Sequence, residues 1–303
     1  MALELQDISP EADFPALARC LLEAYENPPQ KFLHVFFPIH GPGAEAREAA
    51  IQEGAARLKL WHTHDPSSHW QKVVDVETGK IAGGAAWNIH QTNPFVEPRP
   101  VDVTWFPNDS SRMFAEKALE SLGRPRYQAA QRPHMFLFNM FTHPDYRRRR
   151  VAQQLMDWGM KKADELGLEL FLDATPQGRP LYEANGFIYV EENVTAPTTH
   201  NPDEKWKEIE DKVGPFTFWL MWRPVGGRYE EGKTAKPWET QNINNITARS
   251  SSRRRRRTRP PYPVRRSSES HNVRNSKPIP AAAKAKAGEE GAVDRGGGEE
   301  GCG

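Results

Sequence analysis

The sequence has few cysteines and no long apolar run. Its 303 residues include two cysteines, Cys20 and Cys302, one near each end. Two distant thiols exclude a disulfide framework and a multi-cysteine metal site, and they suit a reducing compartment. No segment approaches the roughly 18 apolar residues that a membrane helix needs. The acidic start of the chain also lacks the apolar core of a secretory signal. We therefore expect a soluble protein of the cytoplasm, the nucleus or both.

The charges nearly cancel over the whole chain, with 41 Lys and Arg against 40 Asp and Glu. This balance conceals an asymmetry, because residues 240–303 hold 14 basic and 6 acidic side chains, a net charge of +8. The residues before them hold 27 basic and 34 acidic side chains, a net charge of −7. The sequence thus predicts an acidic folded body that is followed by a basic tail.

The apolar pattern ends near Gly226, which predicts a domain boundary there. Residues 1–226 are numerous enough to bury a core, whereas residues 227–303 combine low hydrophobicity with low complexity and predict a disordered tail. The arginine run at 253–257 has three interpretations. It is a nuclear localisation signal, an extension without function, or an arm that binds nucleic acid through phosphate contacts. We favour the first two together over nucleic-acid binding.

Hydrophobic periodicity predicts the elements of the first half of the chain. A short strand at 3–5 precedes a helix from Phe14 to Tyr25, with Asp13 as its N-cap, and a second helix covers about 44–61. A hairpin between Trp70 and Trp87 turns at residues 77–80. Residues 91–132 contain prolines, arginines and one helical piece near 112–122. That length predicts an insertion with a functional role.

Residues 135–187 are predicted to form strand, turn, helix, strand and short helix. The strand begins at Met135. The helix begins at Val151 and stops at Gly167, and the next strand covers 168–174. This order implies a parallel strand pair with a right-handed connection. A short helix at 179–185 and strands at 187–190 and 216–222 complete an α/β fold of the α+β type. We expect one domain with a mostly antiparallel central sheet.

The turn between the first of these strands and the helix concentrates positive charge. It holds four successive arginines, Arg147 to Arg150, directly before Val151. A helix N-terminus offers unsatisfied N–H groups and the positive end of the helix dipole. Arginines at such a turn favour a phosphate-binding site.

Two motifs in this segment resemble those of the GCN5-related N-acetyltransferase (GNAT) superfamily. The run Arg147-Arg148-Arg149-Arg150-Val151-Ala152 fills the superfamily pattern Gln/Arg-x-x-Gly-x-Gly/Ala, with Arg150 in place of the first glycine. The second signature, Leu-Tyr-x-x-x-Gly-Phe, is intact from Leu181 to Phe187. The resemblance covers residues 3–224 and is specific within 135–187. It implies a central sheet with one splayed parallel strand pair and helices on both faces.

The resemblance also implies a set of site residues for acetyl-CoA. The turn that starts at Arg147 would bind the pyrophosphate, and Tyr182 would protonate the departing thiolate. Asp173 is a candidate base and Asn139 a candidate on the acceptor side. The full cofactor-binding set is Met140, Phe141, Thr142, Arg147, Arg148, Arg149, Arg150, Val151 and Ala152, of which the first three would hold the pantetheine arm and polarise the thioester carbonyl.

Each of these assignments has a structural alternative. The alternative role of Tyr182 is packing in the short helix, and that of Asp173 is a hydrogen-bonded structural acid. Asn139 also fits a ladder residue with an outward amide, and Arg147 and Arg149 fit a solvated face.

Arg150 is the main departure from the superfamily pattern. Glycine lets phosphate approach the backbone closely. An outward Arg150 would leave the amides usable, whereas an inward one would prevent cofactor binding.

The sequence therefore predicts an acetyl-CoA-dependent N-acetyltransferase. It would transfer the acetyl group directly to a primary amine of a small acceptor, with acetyl-CoA as co-substrate, and the acidic body would favour a cationic acceptor. One alternative acceptor is a protein N-terminus or lysine. An alternative of another class is an inert fold with a nucleic-acid-binding tail. No His, Cys and Asp residues have the spacing of metal ligands, so we expect no metal. Because no long apolar run is present, we also expect no membrane partner.

Overall fold

The computed structural model describes residues 2–97 and 101–239, which form a mixed α/β fold around a seven-stranded sheet. The strand order is β1-β2-β3-β4-β5-β7-β6. Neighbouring strands are antiparallel except β4 and β5, which are parallel. This confirms the predicted fold class. The strands are β1 Leu3–Asp7, β2 Ser68–Asp75, β3 Ile81–His90, β4 His134–Thr142, β5 Glu169–Ala174, β6 Ile188–Thr195 and β7 Phe216–Arg223.

Helices cover both faces of the sheet in the described part of the chain. Ala85 and Ala86 are neighbours on β3 yet enter different hydrophobic clusters, as the alternation of side chains along a strand requires. One cluster includes Leu155 of α5, and the other includes Leu17 of α1 and Ile51 of α3. The helices are α1 Phe14–Glu26, α2 Leu33–Phe36, α3 Gly43–His64, α4 Ser110–Ala129, α5 Val151–Leu166, α6 Arg179–Ala184 and α7 Glu204–Val213.

The segment 91–132 contains a helix longer than its sequence pattern predicted. α4 runs from Ser110 to Ala129 and continues through Pro125, beyond the helical piece predicted near 112–122. It packs against α7 and strands β6 and β7, and Phe114 lies against Trp206 with ring centroids 5.1 Å apart. Tertiary packing of α4 thus outweighs the helix-breaking tendency of Pro125.

α7 was not predicted, although its sequence carries a helix signal. The Asp203 carboxylate accepts a hydrogen bond from the backbone N–H of Trp206 at 2.9 Å, which is an N-cap. Trp206, Ile209 and Val213 are buried at helical spacing. None of the helices in residues 2–97 and 101–239 is long and apolar enough to cross a membrane.

The described structure continues past the predicted boundary at Gly226. Trp238 packs edge-to-face on Trp222, with ring centroids 5.4 Å apart, so the folded part extends to this segment. The boundary was predicted from the end of the apolar pattern, which does not register the burial of a single aromatic ring such as that of Trp238. The described residues end at Glu239. The rest of the predicted tail, including the arginine run at 253–257, lies outside them.

Candidate active site

Strands β4 and β5 separate partway along their length. Pairing runs from His134↔Glu169 to Leu137↔Leu172 and stops there. Beyond that point residues 139–142 of β4 pair with β3, whereas Asp173 and Ala174 of β5 pair with β7. Within the part of the chain that the structure describes, the backbone groups that face the gap have no strand partner, and polar backbone groups require one from elsewhere. The gap is therefore suited to an extended polar chain such as pantetheine.

A β-bulge marks the start of this opening. Ala86 of β3 faces Asn139 and the next residue, Trp87, faces Leu137, so Phe138 is an extra residue on β4. A bulge bends the strand and redirects side chains, and bulges are common beside active sites. Here it coincides with the point where β4 leaves β5.

The arginine turn has a backbone conformation that glycine usually adopts. Arg148 has φ +60° and Arg150 has φ +66°, both in the left-handed region. Non-glycine residues in that region cost on the order of 1 kcal/mol each. Arg150 is the N-cap of α5, and Gln154 donates the first helical bond to its carbonyl oxygen. The amides of Val151 and Ala152 therefore precede the helical hydrogen bonds and remain available to a phosphate.

Gly83 on β3 lets the turn approach the sheet closely. A Cβ atom at Gly83 would lie 2.5 Å from the carbonyl oxygen of Phe141 and 2.7 Å from Val151 Cγ1, both shorter than any real contact. A larger residue would push the start of α5 away from β4. Gly83 thus sets the distance between the turn and the opening of the strands.

One cavity of about 790 Å³ connects the turn with the strand opening. At one end it is lined by Arg147, Arg148 and Ala152, and in the middle by residues 139–142 and Tyr182. The other end is lined by aromatic side chains of α2, α3 and β4 and by side chains of the insertion. The predicted pantetheine residues Met140, Phe141 and Thr142 thus share a cavity with the predicted acid.

The predicted set is not entirely at this cavity. Arg149, Arg150 and Val151 do not line it: the two arginines are exposed beside the start of α5, and Val151 is buried in the core. Arg150 therefore points outward, which is the orientation that leaves the amides usable. Arg147 lines the cavity, but its Nη2 donates to the carbonyl oxygen of Ala24 at 2.7 Å. Part of its guanidinium thus holds the turn against α1.

Tyr182 lies in the cavity wall and is 7% exposed. Its hydroxyl makes no hydrogen bond with the described residues. Its ring passes close to Gly178, where a Cβ atom would lie 2.9 Å from the ring carbon Cε2. Burial raises the pKa of Tyr182 above its ordinary value, so the hydroxyl is protonated at neutral pH. This geometry is compatible with the predicted general acid.

Tyr25 at the end of α1 contacts both Asn139 and Met140, and the sequence analysis did not identify it as a site residue. Its hydroxyl oxygen lies 2.9 Å from Asn139 Oδ1 and 3.0 Å from the carbonyl oxygen of Met140. Asn139 therefore bonds within the cavity and does not point outward. Burial raises the pKa of Tyr25, and the nearby Tyr182 phenol raises it further. The two tyrosines thus line the same cavity.

Asp173 is held by an ion pair. Arg126 Nη2 of α4 donates to Asp173 Oδ2 at 2.7 Å, and both side chains are largely buried. Burial raises the pKa of Asp173, and Arg126 acts in the opposite direction. The guanidinium also lies over the Phe136 ring, 4.0 Å from its centroid. This contact favours the structural-acid alternative for Asp173 over the catalytic base.

Aromatic rings and one buried arginine line the end of the cavity away from the arginine turn. The Arg57 guanidinium carbon lies 4.2 Å from the Trp105 ring centroid and 4.9 Å from that of Trp61. Arg57 is paired with Glu53 at 2.8 Å and donates to the carbonyl oxygen of Phe36. The charge is thereby neutralised within the wall, and the surface that remains for a ligand is mostly apolar.

No group of three or more His, Cys, Asp or Glu side chains within the described ranges is arranged to hold a metal ion.

The comparison that decides the family is a match to a family model. The model described as the acetyltransferase (GNAT) family matches residues 36–187, which is half of the chain. The chain belongs to this family. The match includes both motifs, the strand opening and Tyr182. The protein is therefore an acyltransferase of the N-acetyltransferase type, and its family transfers acetyl groups from acetyl-CoA to amines.

Several solved structures are similar to this chain at low sequence identity. Arylalkylamine N-acetyltransferase 2 from Aedes aegypti is 15% identical, with 74% of this chain and 100% of that chain covered and a TM-score of 0.50. A structure described as histone acetyltransferase HPA2 and related acetyltransferase, from Corynebacterium glutamicum, is 20% identical, with 76% and 99% covered and a TM-score of 0.43. PaiA N-acetyltransferase from Thermoplasma acidophilum, in complex with coenzyme A, is 14% identical, with 74% and 99% covered and a TM-score of 0.39. No curated protein sequence matches the chain.

Proposed function

We propose that this chain transfers the acetyl group of acetyl-CoA to the primary amine of a small acceptor with an apolar or aromatic body. The observation that carries the proposal is the single cavity that joins the phosphate-binding turn, the strand opening, Tyr182 and an aromatic end. A cavity of about 790 Å³ is within the usual size of small-molecule sites.

The donor end of the cavity fits coenzyme A. The start of α5 supplies backbone amides and the positive end of a helix dipole for the pyrophosphate. Arg148 and Arg150 add positive charge at the same turn. The unpaired edge of β4 at residues 139–142 supplies backbone groups for the pantetheine arm, as a strand would.

The proposed reaction is a direct transfer. The neutral amine nitrogen attacks the thioester carbonyl carbon, and a backbone N–H of β4 stabilises the oxyanion that forms. The carbon–sulfur bond then breaks, the thiolate takes a proton from the Tyr182 hydroxyl, and the nitrogen loses a proton to water or to a base. Tyr182 regains its proton from solvent, so atoms and charges balance.

The insertion supports a small acceptor over a protein. α4 contributes Arg126 and Tyr127 to the cavity, and residues 101–105 contribute Trp105. These groups form part of the wall at the aromatic end of the cavity, where a peptide acceptor would need an open groove. Low identity means that the resemblance to the Aedes aegypti arylalkylamine enzyme supports the fold and leaves the acceptor to experiment.

The test is release of free CoA thiol from acetyl-CoA in the presence of amines. The panel contains phenylalkylamines, short aliphatic amines and peptides with a free N-terminus or lysine. We expect release above the amine-free background for phenylalkylamines. Release with peptides alone would support the protein acceptor, and no release with any amine would contradict the proposal.

A further inference from the structure

Phe138 is an exposed aromatic residue on a central strand. Its side chain is 41% exposed, whereas residues 134–137 of the same strand are buried. The extra residue of the bulge is Phe138 itself, which directs its side chain away from the regular alternation of β4.

Three cavities meet at this side chain. The acceptor cavity of about 790 Å³ is joined by one of about 1190 Å³ beside α4 and one of about 550 Å³ beside the end of α3. Within the described residues, Phe138 is the side chain that lines all three. It therefore stands where the acceptor cavity would continue into the other two.

The ring is supported on one side by an ordered wall. Phe138 packs edge-to-face on Trp61, with ring centroids 6.2 Å apart, and Trp61 packs on Trp105 at 5.5 Å. Trp61 lines both the acceptor cavity and the smallest of the three. Aromatic pairs prefer this edge-to-face arrangement, so the contact with Trp61 favours the observed position of the Phe138 ring between the cavities.

We propose that Phe138 limits the length of the acceptor by separating the acceptor cavity from the apolar cavity beside α3. This inference rests on the proposed function, because it assigns the aromatic end of the cavity to the acceptor. The cavity beyond the partition is lined by Leu58, Leu60 and Trp70, so it suits an apolar group. Removal of the ring would admit an amine with a longer apolar body.

The test compares wild type with Phe138→Ala and Phe138→Leu on phenylalkylamines of increasing length, from benzylamine to phenylhexylamine. Binding is measured by calorimetry on protein saturated with CoA, and turnover by thiol release from acetyl-CoA. We expect Phe138→Ala to raise the ratio of long-chain to short-chain affinity, and the same ratio of kcat/KM, about tenfold, the scale of a change of a few carbon atoms in an apolar pocket. Phe138→Leu is expected to give an intermediate ratio.

Val194→Ala is the matched control, because Val194 is an exposed apolar strand residue that lines none of these cavities. Its length preference should equal that of wild type. An identical length preference in folded Phe138→Ala would overturn the inference. A further outcome is that Phe138→Ala shifts the length preference in binding while neither wild type nor any variant shows turnover. That result would reject the proposed acetyl transfer and support the role of Phe138 as a partition.

Discussion

Arg126 of α4 and Asp173 of β5 form an ion pair 2.7 Å long at the edge of the candidate active site. The pair ties the insertion to the strand that diverges from β4. Both side chains are mostly buried, so neither charge is compensated by water. The pair therefore holds this part of the cavity wall and satisfies the carboxylate that the sequence presented as a candidate base.

Arg126→Met should leave a buried, unpaired carboxylate. We expect a loss of roughly 3 kcal/mol in unfolding free energy at neutral pH. The pKa of Asp173 is already raised by burial, and loss of Arg126 raises it further. An acid whose folded pKa exceeds its unfolded pKa destabilises the fold as pH rises, so the loss should shrink on acidification. Denaturant unfolding at several pH values measures this.

Asp173→Asn separates the two roles of this carboxylate. A structural acid predicts that Asp173→Asn keeps most of its turnover and that Arg126→Met/Asp173→Asn is more stable than Arg126→Met alone. A catalytic base predicts loss of turnover, with a changed pH–rate profile, in a stable Asp173→Asn protein. That second result would restore Asp173 to the catalytic set.

Tyr182→Phe should lower kcat by about 10²-fold or more while affinity for acetyl-CoA stays nearly constant. The substitution removes the unpartnered hydroxyl and keeps the ring that packs on Phe187, with centroids 6.0 Å apart. Tyr182→Ala is the stability control, because it removes the ring as well. Turnover within twofold of wild type in Tyr182→Phe would leave backbone polarisation and positioning as the mechanism.

Ala152→Trp should weaken acetyl-CoA binding at least tenfold, because a large side chain at the start of α5 blocks approach to the backbone amides. Calorimetry with acetyl-CoA measures the effect, and circular dichroism verifies the fold. Arg150→Gly is the matched variant at the same turn. Glycine relieves the left-handed conformation at φ +66°, so its unfolding free energy should rise by about 0.5–1 kcal/mol. An unchanged dissociation constant in folded Ala152→Trp would contradict this placement of CoA.

His134 should make the fold sensitive to acid. Its ring is fully buried, its Nδ1 lies 2.7 Å from the carbonyl oxygen of Arg132, and among the described residues its Nε2 has no hydrogen-bond partner. Its pKa is lowered to about 4, mainly by burial and to a smaller extent by the nearby His90 and Arg126, against the hydrogen bond with Arg132. The ordinary pKa of histidine is 6.5. A histidine whose pKa is lower in the folded state therefore reduces the unfolding free energy as the pH falls from 6.5 towards 4, by up to about 3 kcal/mol.

The measurement is the unfolding free energy of wild type and His134→Phe between pH 7 and about 4. Phe keeps the ring that stacks on Phe95 and cannot be protonated. We expect a shallower pH dependence in the variant, whatever its stability at neutral pH. Equal slopes for the two proteins would show that His134 does not titrate in this range.

The order of the elements apart from α2 and α7 followed from the sequence because their signals are local. The α5 helix ends at Gly167 with φ +64°, and the hairpin turn contains Gly79 with φ +70°, as their sequence positions indicated. The strand–helix–strand order likewise implied the parallel pair of β4 and β5. The family followed from two short motifs, one at the arginine turn and one containing Tyr182.

The tertiary structure alone decided which residues meet in the cavity. Tyr25 and Asn139 are 114 residues apart in sequence, and Arg126 and Asp173 are 47 apart. In the sequence Tyr25 is one more member of an apolar helical stripe, and Phe138 one more residue of an apolar strand. Periodicity predicts which residues of one helix or strand are buried. It does not show which residues of different elements come together. Only the packing of α1 and α4 against the diverging ends of β4 and β5 determines which of them face a ligand.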